Sequence, residues 1–402
     1  LQSTVGKFFL DILSPTISLE VGHLKKFPVK IVNVDSIVSL VNLSISISKD
    51  YWDSKETSWN YKQNDIIRKN EPDLEDAYDL YKQNWGKKFT QLHKSEEEIN
   101  SKFIEIYGLQ NELNEGVPYE ELSLLKDEIS INNDKLSFHA NEIFFQLIGH
   151  FIGCVFGRFS LDKDGFILAN RDEKINDYLL KIGKTKEECT FIPDEDNIIP
   201  ILDSDWFEDD IVSKFYRFLK VTFGEKNFNK NLAFIEEQIG KDIRKYFIKD
   251  FYPDHIKRYK KRPIYWMFSS SEGSFNVLIY MHRYSPDTVS NILNKYLKEF
   301  IGKLNTRKEH LEQVQVTGSA SDKTKAIKEI DSIVKILVEL HEYERDILYP
   351  LATERIEIDL DDGVLVNYNK FGRAVKEVNG LNDPATKKKV KQFDWTDTSQ
   401  IK

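Results

Sequence analysis

"KKRPIYWMFSSSEGSFNVLIYMHRYSPDTV", residues 260–289, decides the fold class. A basic run leads into consecutive bulky apolar residues, Ile264 to Phe268. A polar, Gly-containing turn follows, then a second apolar run, Val277 to Met281, which ends in His282-Arg283-Tyr284. A strand exposed on one face alternates apolar and polar residues; these two runs are apolar at successive positions. The pattern predicts a β-hairpin covered on both faces by helices or by another sheet. Tyr265, Trp266 and Tyr280 are accordingly read as core, and would stack on nucleobases only if one face were open. The ends of the hairpin carry cations. Lys257, Arg258, Lys260, Lys261 and Arg262 precede the first strand, and His282 and Arg283 follow the second. In an antiparallel hairpin those ends are neighbours, so these side chains are expected together as candidate DNA-binding residues. Lysine and arginine there would reach phosphates, and Arg283 a base edge. The alternative is a solvated helix end paired with Asp250 and Asp254.

Outward from the hairpin the chain reads as mostly helical. Upstream, residues 206–222 form an amphipathic helix with acids in its first turn, where the helix dipole favours them, and helix continues to about 260 with an interruption near Pro253. "GFILA", from Gly165, reads as a strand. Downstream, helices are expected over about 286–313 and 323–348, joined by the mobile linker "VTGSASDKT". "RIEIDLDDGVLVNYNKFG" has an Asp-Gly turn between alternating runs and reads as a second hairpin. The tail "ATKKKVKQ" is basic and expected to fray. Residues 142–160 make the most apolar helix; His150 and Cys154 lie four apart on it and are read as core rather than as metal ligands.

Residues 51–150 suggest an elongated helical spacer. Leu92, Ile99, Ile106 and Leu113 recur in sevens, with Phe89 and Phe103 on the companion position, while Glu96 and Gln110 dilute that seam. Gly116-Val117-Pro118 breaks the helix. A second helix from about Tyr119, carrying Leu122, Leu125, Ile129 and Leu136, would complete an antiparallel, coiled-coil-like hairpin. Nearer the start, "TVGKFFLDILS" has helical spacing up to Pro15, "TISLEVG" reads as a short strand, and Val34 to Ile47 as a helix. The expected class is therefore α+β, predominantly helical: residues 1–50 a leading segment, 51–150 the spacer, and 151–402 a mixed domain of β-hairpins packed by helices.

Composition narrows the function. The 402 residues, 40% hydrophobic and 12% aromatic, can bury more than one core. Two cysteines, Cys154 and Cys189, make no disulfide framework and no zinc motif. No apolar run approaches the ~18–20 residues of a membrane span, and no signal peptide is evident, so a cytoplasmic location is expected. The opening at Leu1 suggests a piece of a longer protein. A net charge of −9 excludes a simple basic DNA binder. The charge is uneven, however. Residues 187–210 hold ten acids and no Lys or Arg, whereas residues 241–262 hold nine Lys/Arg against three Asp. Local fields, not the total, decide where a polyanion sits.

Catalytic signatures are missing from the sequence. There is no Gly-rich strand–helix turn for S-adenosylmethionine and no Asn/Asp-Pro-Pro-aromatic loop for a flipped base. There is no phosphate-binding P-loop or dinucleotide fingerprint, and no nucleophile elbow or HExxH. Asp194, Glu195, Asp196, Asp203, Asp205, Glu208, Asp209 and Asp210 could attract a divalent cation but lack EF-hand spacing; a solvated loop entering a helix is the simpler reading. No catalytic, cofactor-binding or metal residue is assigned.

Several motifs together carry a resemblance: "ISISKDYWDSKETSWNY", "FIEIYGLQNEL", "FIGCVFGRFSLDKDG", "FIPDEDNIIPILDSDWFEDDIVSKF" and "KDFYPDHIKRYKKRPIYWMFSSSEGSFNVLIYMHRYSPDTV". From about residue 45 to 370 the chain resembles the C-terminal half of the PglX family, the adenine-specific DNA methyltransferases of BREX phage-defence systems, related to large type II restriction-methylation enzymes. "VGKFFLDILSPTISLEVGHLKKFPV" is similar to the end of a target-recognition region, as in type I specificity subunits, where a helical spacer follows. The resemblance implies a parent enzyme that moves a methyl group from S-adenosylmethionine to N6 of adenine. Its catalytic and cofactor motifs match no position here, so the chain is expected to need no cofactor and to be inactive alone. The implied role is a non-catalytic DNA-recognition clamp with double-stranded DNA as partner. A protein-interaction module docking other defence subunits is the alternative, and an enzyme built on the acidic stretch a third.

Overall fold

In the first unit, Leu1–Gln146, Ser3 and Asp73 cap the first and the longest helix, and each of these buries part of its surface. The computed structural model describes all residues except 15–17, 19, 33, 123–127, 133–134, 394–398, 400 and 402, and only the backbone of 120, 131, 132 and 135. Helices α1 (Thr4–Leu13) and α2 (Val21–Lys25) precede α3 (Val34–Asp53) and α4 (Leu74–Tyr107). Asp73 caps α4 by accepting the Glu75 N–H at 3.0 Å, and Gly108, at φ 72°, ends it in the left-handed conformation that glycine adopts without strain. Helices α3 and α4 pair antiparallel: Tyr51 lies edge-on to Trp85 and Phe89, with ring centroids 5.1 and 5.0 Å apart, while Ile47, one turn back, meets Leu92, further on. Strands β1 (Ile129–Asn132) and β2 (Lys135–Phe138) then pair antiparallel, Ile129 opposite Phe138.

This arrangement corrects the helix pairing expected within residues 51–150. A long antiparallel helix pair is present, but the partner of α4 is α3, not a helix after Pro118. Tyr119–Glu121 is a single 3-10 turn, and Ile129 and Leu136 lie on β1 and β2; Leu125 lies outside the described residues. The period-two runs Ile129-Ser130-Ile131 and Leu136-Ser137-Phe138 prevail over the helical spacing read across them. Nor do the sevens form a continuous seam. Leu92 is buried, Ile99 and Ile106 are half-buried, and Leu113 lies beyond the end of α4. The buried stripe is instead aromatic: Tyr78, Tyr81, Trp85 and Phe89. Of the early strand "TISLEVG", residues 16, 17 and 19 lie outside the described residues, and Val21 opens α2.

The division between the units falls within α5 (Ala140–Val155). In the second unit, Leu147–Lys402, follow α6 (Ile175–Ile182), β3 (Ile199–Pro200), α7 (Ile211–Phe223), α8 (Phe228–Ile239), α9 (Ile243–Lys249) and α10 (Phe251–Arg258). The opening hairpin is β4 (Tyr265–Ser269) and β5 (Asn276–Tyr280), antiparallel with Tyr265 opposite Tyr280. β5 is central, with β3 on its other side. The far edge of β4 is also covered, because Ser269 N–H donates to Ala374 and Lys376 N–H to Met267, both at 2.9 Å. Every residue of β4 and β5 is buried, as successive apolar residues require. Trp266 and Phe268 pack against Phe371 on one face, at 5.7 and 5.4 Å; on the other, Tyr265 stacks on Phe156 at 5.3 Å. Each large side chain so buried contributes roughly 1.5–3 kcal/mol.

Helices α11 (Thr288–Asn291), α12 (Lys298–Thr317), α13 (Ala320–Tyr343), α14 (Tyr349–Glu354), α15 (Gly363–Asn369) and α16 (Pro384–Val390) complete the unit. π-helical segments, Ile292–Leu297 and Glu344–Leu348, lie within the runs leading into α12 and out of α13. The anticipated linker is a turn at Gly318-Ser319, with Ser319 capping α13; α12 and α13 form a second antiparallel pair joined by Arg307–Glu329 at 2.7 Å.

Other local expectations change. "GFILA" is a loop that buries Ile167 and Leu168, not a strand: their N–H groups donate to Arg158 and Gly157 carbonyls at 2.9 and 3.0 Å. The late hairpin is α15. Asn367 bridges from the helix to the Asp359 N–H and to Gly363 O, so the Asp-Gly pair starts a helix instead of turning a strand. The tail does not fray at 384–390. Asp383 accepts the Thr386 N–H at 3.2 Å, Pro384 opens the helix, and Val390 is packed with Val366 and Ile401.

Candidate nucleic-acid interface

The cations before β4 leave α10 through an unusual turn. Pro263 disfavours helix at the residue before it, so the chain must stop quickly. It does so with Lys260 at φ 50° and Lys261 at φ 60°. The turn is held by Lys261 N–H to Ile256 O at 2.9 Å and Arg262 N–H to Tyr259 O at 2.9 Å. Adjacent non-glycine residues in the left-handed region cost roughly 1–2 kcal/mol each. Lys260, Lys261 and Arg262 are exposed, and none makes an ion pair among the described residues. Lys257 and Arg258, in the last turn of α10, lie near enough to Asp254 to favour its ionised form; burial is the larger influence and holds that carboxyl above its usual range. Asp250 instead pairs with Lys241 at 2.7 Å.

The cations after β5 turn inward. Arg283 donates to three backbone carbonyls: Phe156 at 3.3 Å, Asp194 at 2.9 Å and Glu195 at 3.0 Å. Its guanidinium closes the loop that leads to β3 and is not positioned to read a base edge. His282 is held neutral at pH 7, its pKa lowered to about 4 by burial and then by Arg158. Both therefore stand apart from the exposed cations of the expected set. Tyr265, Trp266 and Tyr280 are each at most 1% exposed, so the hairpin has no open stacking face.

A second basic segment adjoins the first. The Lys261 side chain lies so close to Gly380 that a Cβ there would meet its ammonium at 3.0 Å. Gly380 N–H donates to Asp383, the cap of α16. From α16 project Lys388 and Lys389, with Lys391 just beyond, all exposed. Lys387 is held below its usual range first by burial, with Lys391 and Arg373 adding repulsion. Sequence reading found the lysines but not their helix; Asn382-Asp383-Pro384, a cap followed by an N1 proline, was the available signal.

No family model matches the chain. It is 33% identical to the adenine-specific methyltransferase BrxX of Escherichia coli O9:H4 (strain HS), over 96% of the chain and 33% of that protein. It is 36% identical to the adenine-specific methyltransferase PglX of Lacticaseibacillus casei (strain Zhang), over 92% of the chain and 30% of that protein. The chain is homologous to a portion of the PglX/BrxX adenine-specific methyltransferases. It spans about a third of the length of these curated relatives.

Within this PglX/BrxX-like portion the other candidate chemistry resolves into structure. Asp210 caps α7 and receives Arg244 through both oxygens at 2.9 and 3.0 Å; Asp205 pairs with the same guanidinium. Asp194 accepts from Asn197 N–H at 3.0 Å and from Lys214 at 3.1 Å. The Tyr296 hydroxyl, within the first π-helical segment, reaches Asp209 at 2.7 Å and Asp196 at 3.1 Å. Burial, then the Asp194 charge, pushes the Asp196 carboxyl up to about 6. Among the described residues no cluster of acids, histidines and cysteines is arranged to hold a metal. His150 and Cys154 touch at 3.6 Å in the core, with His150 lowered to about 3 by burial, as the core reading expected. No helix among the described residues is long and apolar enough to cross a membrane.

Proposed function

We propose that the chain is a non-catalytic, DNA-gripping portion of an adenine-specific DNA methyltransferase that acts in phage defence. The observation that carries the reading is the pair of exposed left-handed lysines, Lys260 and Lys261. Glycine would make that turn at lower cost; the two lysines instead put adjacent ammonium groups into solvent beside the hairpin. With Arg262, Arg373 and the α16 lysines they offer phosphate contacts from two chain segments, which position a duplex without reading sequence. Methyl transfer from S-adenosylmethionine to N6 of adenine would belong to the rest of the parent enzyme. The residues of this chain do not fit that cofactor: it has neither a Gly-rich strand–helix turn nor an Asn/Asp-Pro-Pro-aromatic loop, and no step is assigned to it.

Fluorescence anisotropy of the chain with a labelled 30-base-pair duplex, titrated across salt, tests the proposal. Binding that weakens steeply with salt is expected, because each neutralised phosphate releases counterions. Lys260→Glu/Lys261→Glu/Arg262→Glu should weaken it sharply and flatten its salt slope, with the melting temperature intact. No binding at low salt, or an affinity and salt slope unchanged by the triple change, would overturn the assignment.

The second reading is a docking module for other defence-system subunits. In its favour, α13 exposes Ile327, Val334 and Val338 on one side, and α3 exposes Val38, Ile45 and Trp52 at spacings of seven. Partner capture by a chain whose basic residues are neutralised would favour it over the first.

A further inference from the structure

The first unit contains a polar cleft unrelated to the hairpin. Its volume is about 540 Å³, within the roughly 300–1,000 Å³ of small-molecule sites. The end of α3, the loop after it, the 3-10 turn Ile67–Lys69 and the middle of α4 form its walls. Lys49, Lys62, Arg68, Lys69 and Lys88 line it against Asp50, Asp53 and Asp65.

Each of those carboxylates already has partners. Asp50 receives Lys88 at 2.8 Å. Asp53 receives Lys49, Ser58 Oγ at 2.7 Å and Asn60 at 3.4 Å, and its hydrogen bond from Lys49 is the first cause holding it below the usual carboxylate range. Asp65 receives the Trp85 indole N–H at 2.9 Å. Not every cation is matched in return. Arg68 forms a long ion pair with Asp65 at 3.7 Å, without a hydrogen bond. Lys62 and the half-buried Lys69 make no ion pair among the described residues. Lys62 and Lys69, with Arg68 held only by its long pair to Asp65, therefore line a nucleotide-sized cleft whose acids each have a partner already. Cationic donors lining one cleft, two of them without a carboxylate partner among the described residues, suit an anion with several oxygens.

We propose that this cleft binds a phosphate group, carried either by a nucleotide or by a nucleic-acid backbone. Lys62, Arg68 and Lys69 contact the phosphate oxygens, and Trp85, in the wall with Lys88 over its ring at 4.7 Å, reports occupancy. The site is independent of the DNA grip proposed for the second unit.

The test titrates the full chain with pyrophosphate, ADP, adenosine and a labelled duplex, following tryptophan fluorescence and the melting temperature. Pyrophosphate and ADP should give saturable responses, and adenosine none. Lys62→Ala/Lys69→Ala should weaken phosphate binding by about tenfold or more without lowering the melting temperature of the free protein. The duplex is tested in the Lys260→Glu/Lys261→Glu/Arg262→Glu background. Residual duplex binding that pyrophosphate displaces would assign the phosphate to a nucleic-acid backbone; a response confined to pyrophosphate and ADP would assign it to a nucleotide. No saturable response to any phosphate probe, or an affinity unchanged in the double lysine variant, would overturn the proposal, whatever the outcome at the hairpin.

Discussion

Replacing Lys260 and Lys261 together by glycine should stabilise the protein and weaken its hold on DNA. Both residues sit at positive φ, 50° and 60°, where a Cβ costs roughly 1–2 kcal/mol. Glycine removes that cost but adds about 0.5–1 kcal/mol of chain entropy to the unfolded state. The net gain is about 0.5–1 kcal/mol per site, or about 1–2 kcal/mol for the pair. At ~2–4 °C per kcal/mol for a unit of this size, the melting temperature should rise by about 2–8 °C. The lysines make no ion pair among the described residues that would offset this gain; only the Lys261 stem against Gly380 loses packing. Two lost phosphate contacts should lower the salt slope of duplex binding by about 1.8, at roughly 0.9 per phosphate. Thermal melts and anisotropy on the same preparation measure both. A variant that is more stable yet binds DNA with an unchanged slope would refute the claim that these lysines contact phosphates. A less stable variant would refute the strain argument itself.

Further outcomes follow from the same geometry. Arg283→Met should cost about 2–4 kcal/mol in urea unfolding, because three carbonyls lose a charged donor, while the folded fraction binds duplex with an unchanged salt slope. His282→Gln should leave duplex affinity at pH 7 unchanged, since a histidine held at about 4 carries no charge there; a measurable loss would contradict its inward placement. Asp196 has its folded pKa raised to about 6, so the folded state binds more protons than the unfolded state between about 4 and 6 and loses stability as pH rises through that window. Asp196→Asn should therefore raise the melting temperature more at pH 7.5 than at pH 4.5, and an equal shift at both would reject the assignment. Lys388→Glu/Lys389→Glu/Lys391→Glu should lower the salt slope even with the hairpin cations intact, and no change would confine the DNA contact to the β4 flank.

The hairpin was legible because burial on both faces leaves a mark in composition: successive apolar residues at 264–268 and 277–281 have no other economical reading. Its neighbours were less legible where two periods overlap. Ile129 and Leu136 satisfy a helical spacing and a strand alternation at once, and tertiary packing decided between them. "DLDDG" carries a hairpin turn signal, but Asn367, which folds the segment onto a helix, lies beyond the turn itself. The cation set shows the same limit at the level of the site. Sequence order correctly brought the two hairpin ends together, since Met281 N–H donates to Ile264 O at 3.1 Å. It could not say which side chains point outward. The carbonyls that hold Arg283 come from residues 156, 194 and 195, distant in sequence, and no local pattern announces them.

The net charge of −9 weighs less against a polyanion than it first does, because the acids and the cations are partnered differently. The densest acidic stretch is largely matched within the fold. Asp205 and Asp210 are held by Arg244, Asp194 by Lys214, and Asp196 and Asp209 share the Tyr296 hydroxyl, with both of those carboxyls raised chiefly by burial. A carboxylate neutralised by a neighbouring guanidinium or ammonium contributes little to the field a Debye length away, about 8–10 Å at ordinary salt. Lys260, Lys261 and Arg262 have no such partner among the described residues and face solvent. The field felt by a phosphate approaching that surface is set by these outward, unmatched cations, so a chain that is acidic in sum can present a basic face where the hairpin begins.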